Sequence, residues 1–290
     1  MVTTFVRERL DHDRGDFVAS RAQMEAGTDA MPLPDGVVVE PVDAGGVPAE
    51  WVSLPGSDPS RVIQYHHGGA YTAGSLGTHR RFVAILAEAT GARVLNVDYR
   101  LAPEHPHPAA VDDALAAYRW LTGAQGIDPA HVVICGDSAG GGLSAALLVA
   151  LRDAGDPLPA GGALISPWAD LTMEGESHDS RRDLDPMCNR DSLQASVDVY
   201  AAGLDVRAPL VSPVFADLTG LPPLVIHVGD HETLLDDSTA LAAAAEKAGV
   251  DVDLWVAPEM IHVWHVFYGM VPESEVAVTR LAAWIRTRLR

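Results

Sequence analysis

A serine flanked by glycines follows a short apolar run, in the sequence Gly136-Asp137-Ser138-Ala139-Gly140. Glycines two positions before and two positions after the serine allow the backbone to turn sharply from a strand into a helix, which would hold the Ser138 hydroxyl in a strained, reachable position. Amides at the start of that helix would favour negative charge at the same point. The pattern predicts a nucleophilic serine, which requires a base, an acid and an oxyanion hole.

The acid is expected after the next-to-last strand, because hydrolases built on such an elbow have the chain order serine, acid, histidine. Four acidic residues follow the strand predicted over 224–228, namely Asp230, Glu232, Asp236 and Asp237. The last two precede an alanine-rich helix, where carboxylates cap free amides, and we interpret them as structural. Asp230 and Glu232 both stay open as the acid.

Two histidines, His262 and His265, follow the last predicted strand. A base at this point would accept the Ser138 proton through one ring nitrogen, while the acid orients the other nitrogen. His262 comes first and lies nearer the expected mouth of the site. His265 lies one helical turn later, where packing is the simpler role. We predict that His262 is the base and keep His265 as the alternative.

Adjacent glycines at positions 68 and 69 come directly after another apolar run. Glycine lets a backbone approach a ligand closely. We predict that the amides of Gly68 and Gly69, with that of Ala139 after the serine, bind the oxyanion of a tetrahedral intermediate. By analogy with measured cases, each donor would lower the barrier by about 3 kcal/mol.

The elements that must position these side chains alternate along the chain. Short β-branched runs alternate with longer alanine-rich amphipathic stretches, which is typical of a mostly parallel sheet with helices on both faces, so the predicted fold class is α/β. Strands are predicted over 37–42, 49–54, 62–65, 94–98, 132–135, 163–166, 224–228 and 252–256. Helices are predicted over 79–90, 108–121, 139–154, 237–248 and 273–288.

Two segments do not follow this alternation, residues 1 to about 35 and residues about 172 to 208. Long insertions into a regular fold are often functional. We therefore predict a single domain over 1–290 in which these two segments form a cap. The alternative is that both are surface helices.

The net charge, the apolar runs and the cysteine count of the chain indicate which partners, location and cross-links to expect. The formal net charge is -20, from 40 acidic and 20 basic residues, which argues against nucleic acid or an anionic membrane as a partner. The sequence has no apolar run of about eighteen residues and no signal-peptide pattern at its start, which predicts a cytoplasmic protein. The two cysteines, Cys135 and Cys188, are too few for a disulfide scaffold or a cysteine-based metal site, and we expect free thiols.

From about residue 37 onward the sequence closely resembles the hormone-sensitive lipase family of α/β-hydrolases, in its bacterial esterase branch with the Gly-Asp-Ser-Ala-Gly elbow. The segment His67-Gly68-Gly69-Ala70-Tyr71 is similar to that family's His-Gly-Gly-Gly oxyanion motif, with Ala70 in place of the third glycine. Segments 98–106, 108–113 and 166–170 resemble structural parts of the family, and we interpret them as scaffold.

The resemblance also bears on the acid and the base. Glu232-Thr-Leu-Leu-Asp236 is similar to the family's acid motif Asp-Pro-Leu-x-Asp, with Glu for the first Asp and Thr for the Pro. This favours Glu232 as the acid, with Asp230 in reserve. Met260-Ile-His262 is similar to the segment that carries the catalytic histidine, which favours His262 over His265.

The resemblance implies an α/β-hydrolase fold with a helical cap and hydrolysis of short- to medium-chain carboxylic esters through an acyl-enzyme, with no metal or organic cofactor. The implied partner is a small-molecule ester or lactone, and two copies could pair through the last helix and the last strand to form a homodimer, as in relatives. Plausible pocket walls, with plain core as the alternative for each, are Tyr71, Trp168, Met173, Tyr200 and Trp264.

Three other functions stay open. Lactone opening uses the same residues and is a specific form of the ester reading. Amide hydrolysis uses the same triad, but the resemblance disfavours it. A small-ligand receptor is the non-enzymatic alternative, because plant hormone receptors share this fold and keep the pocket while losing the histidine that is present here.

Overall fold

The computed structural model of the chain describes residues 16–28 and 32–290. Within them, eight strands form one sheet in the order β1-β2-β4-β3-β5-β6-β7-β8. Strand β2 pairs antiparallel with β1 and β4, and the other neighbours pair in parallel. The strands run over Val38–Asp43 (β1), Pro48–Ser53 (β2), Asp58–His66 (β3), Ala92–Val97 (β4), Val132–Asp137 (β5), Gly161–Ile165 (β6), Leu224–Gly229 (β7) and Val252–Ala257 (β8).

The predicted α/β class is confirmed, and helices connect the strands. They run over Phe17–Thr28 (α1), Leu76–Thr90 (α2), Ala109–Thr122 (α3), Ala139–Ala154 (α4), Ser177–Ser180 (α5), Arg190–Ala201 (α6), Leu235–Lys247 (α7) and Pro272–Arg288 (α8). Helix α2 begins earlier than predicted because Ser75 and Thr78 form a capping box, in which each side chain accepts a hydrogen bond from the other's amide. No helix in the described ranges is long and apolar enough to cross a bilayer.

The sheet separates two apolar clusters, and strand β5 shows why. Val132 and Ile134 face one cluster, which helices α3, α4 and α7 cover, while Val133 and Cys135 face the other, which α2 and α8 cover. A strand buried on both faces reads as a continuous apolar run, which is the pattern seen before Ser138. The elbow therefore stands at the end of a central strand that is buried on both faces.

Of the first predicted cap segment, the structure describes helix α1, whereas residues 1–15 and 29–31 lie outside the described residues. Arg21 on α1 donates to the carbonyl oxygen of Thr72 at 2.7 Å and to that of Ala102 at 2.8 Å. The same guanidinium pairs with Glu104 at 2.7 Å. Helix α1 is thereby attached to the loop that follows β3.

The second predicted cap segment, 172–208, contains α5 and α6. Tyr200 on α6 stacks on Tyr71, with ring centroids 3.8 Å apart and planes 8° apart. Near the middle of the segment, Asp185 accepts a hydrogen bond from the amide of Thr233 at 2.9 Å. The segment therefore contacts both the loop after β3 and the loop after β7.

Candidate active site

Ser138 forms the turn between β5 and α4 and has φ 52° and ψ -122°. This left-handed φ is unfavourable for a residue with a side chain and costs about 1–3 kcal/mol unless the surroundings impose it. Two backbone hydrogen bonds impose it here, from the Ser138 amide to Ile165 at 2.8 Å and from the Trp168 amide to the Ser138 carbonyl oxygen at 2.9 Å. The predicted strained elbow is present in the fold.

The glycines of the elbow are required by close backbone contacts. A Cβ atom added at Gly136 would lie 2.3 Å from the carbonyl oxygen of Gly140, and one added at Gly140 would lie 2.0 Å from the carbonyl oxygen of His66. Both distances are far shorter than any van der Waals contact. These positions are therefore glycine because the first turn of α4 lies directly against strands β3 and β5.

The acid and the base meet at the ends of neighbouring strands. Glu232 follows β7 and His262 follows β8, and these two strands pair in parallel, so the loops after them emerge side by side. His262 Nδ1 lies 2.8 Å from Glu232 Oε2. Glu232 is 0% exposed and His262 is 4% exposed, so water does not weaken this contact.

The second carboxylate oxygen of Glu232 is also held. Glu232 Oε1 accepts hydrogen bonds from the Gly229 amide at 2.6 Å and from Ser166 Oγ at 2.8 Å. The Ser166 hydroxyl in turn accepts the amide of Val263, the residue after His262, at 3.2 Å. Ser166 therefore positions the acid and the loop that carries the imidazole together.

Sequence reasoning missed Ser166, which lay in a segment interpreted as scaffold. The residue stands 66 positions from Glu232 in the chain, and no local motif links the two. Ile165 and Trp168, close to Ser166 in the chain, form hydrogen bonds with the backbone of Ser138. The short segment 165–168 therefore contacts Ser138, Glu232 and the residue after His262.

The environment shifts the pKa values of the pair. Burial raises the pKa of Glu232, and the opposing effects of His262 and the Gly229 amide do not fully offset it. Burial lowers the pKa of His262, but the adjacent Cys188 and Glu232 raise it well above its ordinary value. Burial raises the pKa of the Cys188 thiol, which keeps the thiol neutral. We therefore ascribe the raised pKa of His262 to the Glu232 carboxylate.

The alternative acid, Asp230, and the alternative base, His265, form hydrogen bonds with other groups. Asp230 is 40% exposed, and its Oδ1 accepts the amide of Glu259 at 2.6 Å rather than facing the imidazole. The alternative base, His265, is fully buried, and its Nε2 lies 3.0 Å from Nδ1 of His227. His265 therefore packs against His227.

The two aspartates at the start of α7 are structural, but not in the predicted way. Helix α7 begins at Leu235 and has no side-chain cap. Asp236 accepts the amide of Ser177 at 2.9 Å. Asp237 accepts the amides of Ala169 and Asp170, at 3.2 and 2.9 Å. Both carboxylates thus tie the acid-bearing loop to other segments instead of capping the helix to which they belong.

The glycine loop after β3 lies against the nucleophile, since a Cβ added at Gly68 would be 3.1 Å from Cβ of Ser138. The amide of Gly68, however, donates to Asp137 Oδ1 at 3.0 Å. The prediction that the Gly68 amide binds an oxyanion is thereby corrected, because that donor is already used. Gly69 has φ +122°, and a Cβ there would lie 2.2 Å from the carbonyl oxygen of Ala73, so only glycine fits.

Three other amides remain near the elbow. Among the residues that the structure describes, those of Gly69, Ala70 and Ala139 donate to no backbone acceptor. Gly69 and Ala70 follow the anchored Gly68 in the same turn, and Ala139 is the first residue of α4, where amides lack an intrahelical partner. Unused donors beside a serine hydroxyl are suited to binding negative charge.

Four of the five predicted pocket residues form one buried group. Tyr71, Trp168, Met173 and Tyr200 are each at most 1% exposed and belong to the same core cluster. A Cβ added at Gly142 would lie 3.1 Å from the Tyr71 hydroxyl, which places the group against the start of α4.

The fifth, Trp264, lies in a separate small cluster with Ala257, Ile261 and Ala277. Both cysteines are free thiols, as expected. Within residues 16–28 and 32–290, no group of three or more His, Cys, Asp or Glu side chains is arranged to hold a metal ion.

The chain is similar to known hydrolases over most of its length. The family profile described as alpha/beta hydrolase fold matches residues 63–266. An acetyl-hydrolase of Streptomyces hygroscopicus is 48% identical, over 92% of this chain and 87% of the relative. The carboxylesterase NlhH of Mycobacterium tuberculosis is 36% identical, over 88% of this chain and 80% of the relative.

Solved structures are similar over the full length of the chain. The crystal structure of an esterase from the bacterial hormone-sensitive lipase family superposes with a TM-score of 0.97 at 46% sequence identity, covering 100% of this chain and 97% of that one. The mostly parallel sheet flanked by helices is accordingly the fold of these esterases. The chain belongs to the hormone-sensitive lipase family of α/β-hydrolases and is an enzyme of that family.

Proposed function

We propose that this enzyme hydrolyses carboxylic esters through a triad of Ser138, His262 and Glu232 and an acyl-enzyme intermediate. One observation carries the proposal, the buried 2.8 Å hydrogen bond between His262 Nδ1 and Glu232 Oε2. It fixes the orientation of the ring, and we propose that Nε2 receives the proton of the serine on the neighbouring elbow. The names of relatives, acetyl-hydrolase and carboxylesterase, support the same reaction.

In the first half-reaction, His262 Nε2 accepts the proton of Ser138 Oγ while the oxygen attacks the ester carbonyl carbon. The tetrahedral intermediate collapses when the imidazolium returns the proton to the leaving alcohol, which leaves the acyl group on Ser138. Water then attacks the acyl carbon as His262 takes its proton, and the imidazolium returns that proton to Ser138 Oγ when the bond to the acyl group breaks and the acid product departs. Glu232 stabilises the imidazolium in both steps and stays ionised.

The negative charge of each tetrahedral intermediate is proposed to rest on the amides of Gly69, Ala70 and Ala139. These donors have no backbone acceptor among the described residues and lie around the elbow. A preorganised donor costs no reorganisation when charge develops, and the loss of one typically slows the chemical step about 10²- to 10³-fold. Gly68 supports this group without being one of the donors.

The acyl group is proposed to be short. Tyr71, Trp168 and Tyr200 are bulky and buried in the main core, and the Tyr71 hydroxyl lies against the start of α4. The name of the Streptomyces relative, acetyl-hydrolase, agrees with a small acyl group. Helix α1 and the segment 172–208 are proposed to form the cap that covers this region, since both contact the loop after β3.

The test is a comparison of the wild-type chain with Ser138→Ala and with the exposed control Ser60→Ala. The substrates are p-nitrophenyl esters from acetate to laurate, a γ-lactone and a p-nitroanilide. We expect hydrolysis of the acetyl and butyryl esters to fall at least about 10⁴-fold in Ser138→Ala and to be unchanged in Ser60→Ala. Full activity in Ser138→Ala, or tight binding of the esters without turnover by the wild-type chain, would contradict the proposal.

A further inference from the structure

We propose that Asp137, the residue before the nucleophile, is a positioning residue that holds the glycine loop in the geometry that binds the oxyanion. This inference rests on the proposed function, because it concerns the donors for that reaction. The structure assigns it this role through contacts with three residues that are distant in the chain, Gly68, Tyr65 and His79.

The carboxylate bridges two strands. Asp137 Oδ1 accepts the Gly68 amide at 3.0 Å and the hydroxyl of Tyr65, on strand β3, at 2.6 Å. Its other oxygen, Oδ2, lies 3.4 Å from Nε2 of His79 on helix α2. Asp137 is 3% exposed and Tyr65 is 0% exposed, so these contacts are shielded from water. The start of the glycine loop is therefore fastened at its first amide.

This anchor sets the distance between the nucleophile and the donors. Asp137 is covalently next to Ser138, and it holds Gly68, which is next to the proposed donor Gly69. A single side chain thus links the two backbone segments that must act on the same carbonyl group. The fit is close, since a Cβ at Gly68 would lie 2.3 Å from Asp137 Oδ2. A glycine is needed at position 68 because the carboxylate lies against it.

A carboxylate beside a developing oxyanion would be unfavourable if its charge were free. Burial by itself would raise the pKa of Asp137, but His79, Tyr65 and His67 lower it below its ordinary value, so the group is ionised. Ionised acceptors make shorter and stronger hydrogen bonds than neutral ones. Its charge is engaged by the Tyr65 hydroxyl, the Gly68 amide and the His79 ring. The contribution to the reaction is therefore the acceptor oxygen at Oδ1 rather than net charge.

Three variants separate this role from simple stabilisation. Asp137→Ala removes the acceptor. Asp137→Asn keeps an acceptor oxygen in the same place and removes the charge, and its amide group can donate to Nε2 of His79. Tyr65→Phe is the matched control, because it removes the other hydrogen bond to Oδ1 and leaves the Gly68 amide bonded.

The measurements are kcat and KM for p-nitrophenyl acetate and the Ki of a trifluoromethyl ketone. The serine oxygen adds to this ketone and forms a tetrahedral adduct that carries an oxyanion. For Asp137→Ala we expect kcat to fall between about tenfold and a hundredfold, with KM changed less than about threefold and the ketone bound more weakly by the same factor as kcat. For Asp137→Asn and Tyr65→Phe we expect kcat within about threefold of wild type.

The proposal is overturned if Asp137→Ala keeps wild-type kcat, or if Asp137→Asn loses as much kcat as a folded Asp137→Ala. If Asp137→Ala does not fold, Asp137→Asn still decides, since a large loss of kcat there would contradict the anchoring role. A failure of this inference is distinct from a failure of the proposed function, because Ser138→Ala would then still abolish hydrolysis.

Discussion

Ser166 Oγ donates a hydrogen bond to Glu232 Oε1 at 2.8 Å, and the same hydroxyl accepts the amide of Val263 at 3.2 Å. One buried oxygen thereby fixes the acid and the loop that carries His262. The orientation of Glu232, the proposed acid, therefore depends on Ser166 as well as on His262. The position of Ser166 at the end of β6, between β5 and β7, makes this link geometrically direct.

Replacement of this hydroxyl tests the link. In Ser166→Ala, Glu232 Oε1 loses one donor and the Val263 amide loses its acceptor, so we expect kcat to fall about tenfold and the free energy of unfolding to fall by about 1–3 kcal/mol. Ser212→Ala is the matched control, because Ser212 is fully buried and accepts the amide of Leu171 at 2.8 Å in another region. Equal losses of kcat in the two variants would argue against a specific role for Ser166.

The identity of the acid is tested by Glu232→Gln against Asp230→Asn. The amide of glutamine cannot stabilise the imidazolium and can favour the wrong ring tautomer, so we expect kcat/KM to fall by about 10²- to 10⁴-fold. Asp230 binds the Glu259 amide near the surface, and its replacement is expected to leave kcat/KM unchanged. The measurement is p-nitrophenyl acetate kinetics on both purified variants. The reverse ranking would make Asp230 the acid.

The pH dependence of the reaction follows from the imidazole. Only the neutral ring of His262 can accept the serine proton, and the pKa of His262 lies well above its ordinary value of 6.5. We therefore expect kcat/KM to rise with pH through that pKa and to level off on the alkaline side. In Glu232→Gln, burial is no longer opposed by the carboxylate, so the pKa of His262 should fall.

The midpoint is measured from the pH–rate profile of the wild-type chain, and the ring of His262 is titrated by NMR in both forms because the variant turns over slowly. A wild-type midpoint at or below 6.5, or an unchanged NMR midpoint in Glu232→Gln, would refute the assigned coupling.

Glycine at position 69 is tested with Gly69→Ala. Its Cβ would lie 2.2 Å from the Ala73 carbonyl oxygen, so the loop must move, and we expect kcat to fall by at least about 10²-fold. Gly46→Ala is the control, because Gly46 also has a left-handed φ, +94°, but nothing lies within 4 Å of an added Cβ. That variant should lose about 1–2 kcal/mol of stability and no activity. Wild-type kcat in a folded Gly69→Ala would remove Gly69 from the oxyanion site.

Much of this architecture is predictable from sequence because the signals are local. Each strand buried on both faces is a continuous apolar run, and the elbow combines such a run with two glycines that close contacts require. Glu232 and His262 were predicted from chain order and family motifs. The structure places them in contact because parallel strands β7 and β8 end at the same edge of the sheet.

What sequence could not predict depends on contacts between distant segments. The Gly68 amide was expected to bind an oxyanion, but its direction is set by Asp137, a residue 69 positions away. Ser166 was interpreted as scaffold. Its partner Glu232 is 66 positions away in the chain, so no local motif links the two residues. Pattern reasoning can indicate that a loop is glycine-rich, but it cannot show which of its amides a buried carboxylate already holds.

The central claim is that Ser138 is a nucleophile activated by His262, and covalent labelling tests it most directly. The wild-type chain and the variants Ser138→Ala, His262→Ala and His265→Ala are treated with a fluorophosphonate and followed by mass spectrometry. We predict one adduct, on the peptide that contains Ser138, formed at the wild-type rate in His265→Ala, at least about 10³-fold more slowly in His262→Ala, and absent in Ser138→Ala. An adduct on another residue, or undiminished labelling of Ser138 without His262, would contradict the account.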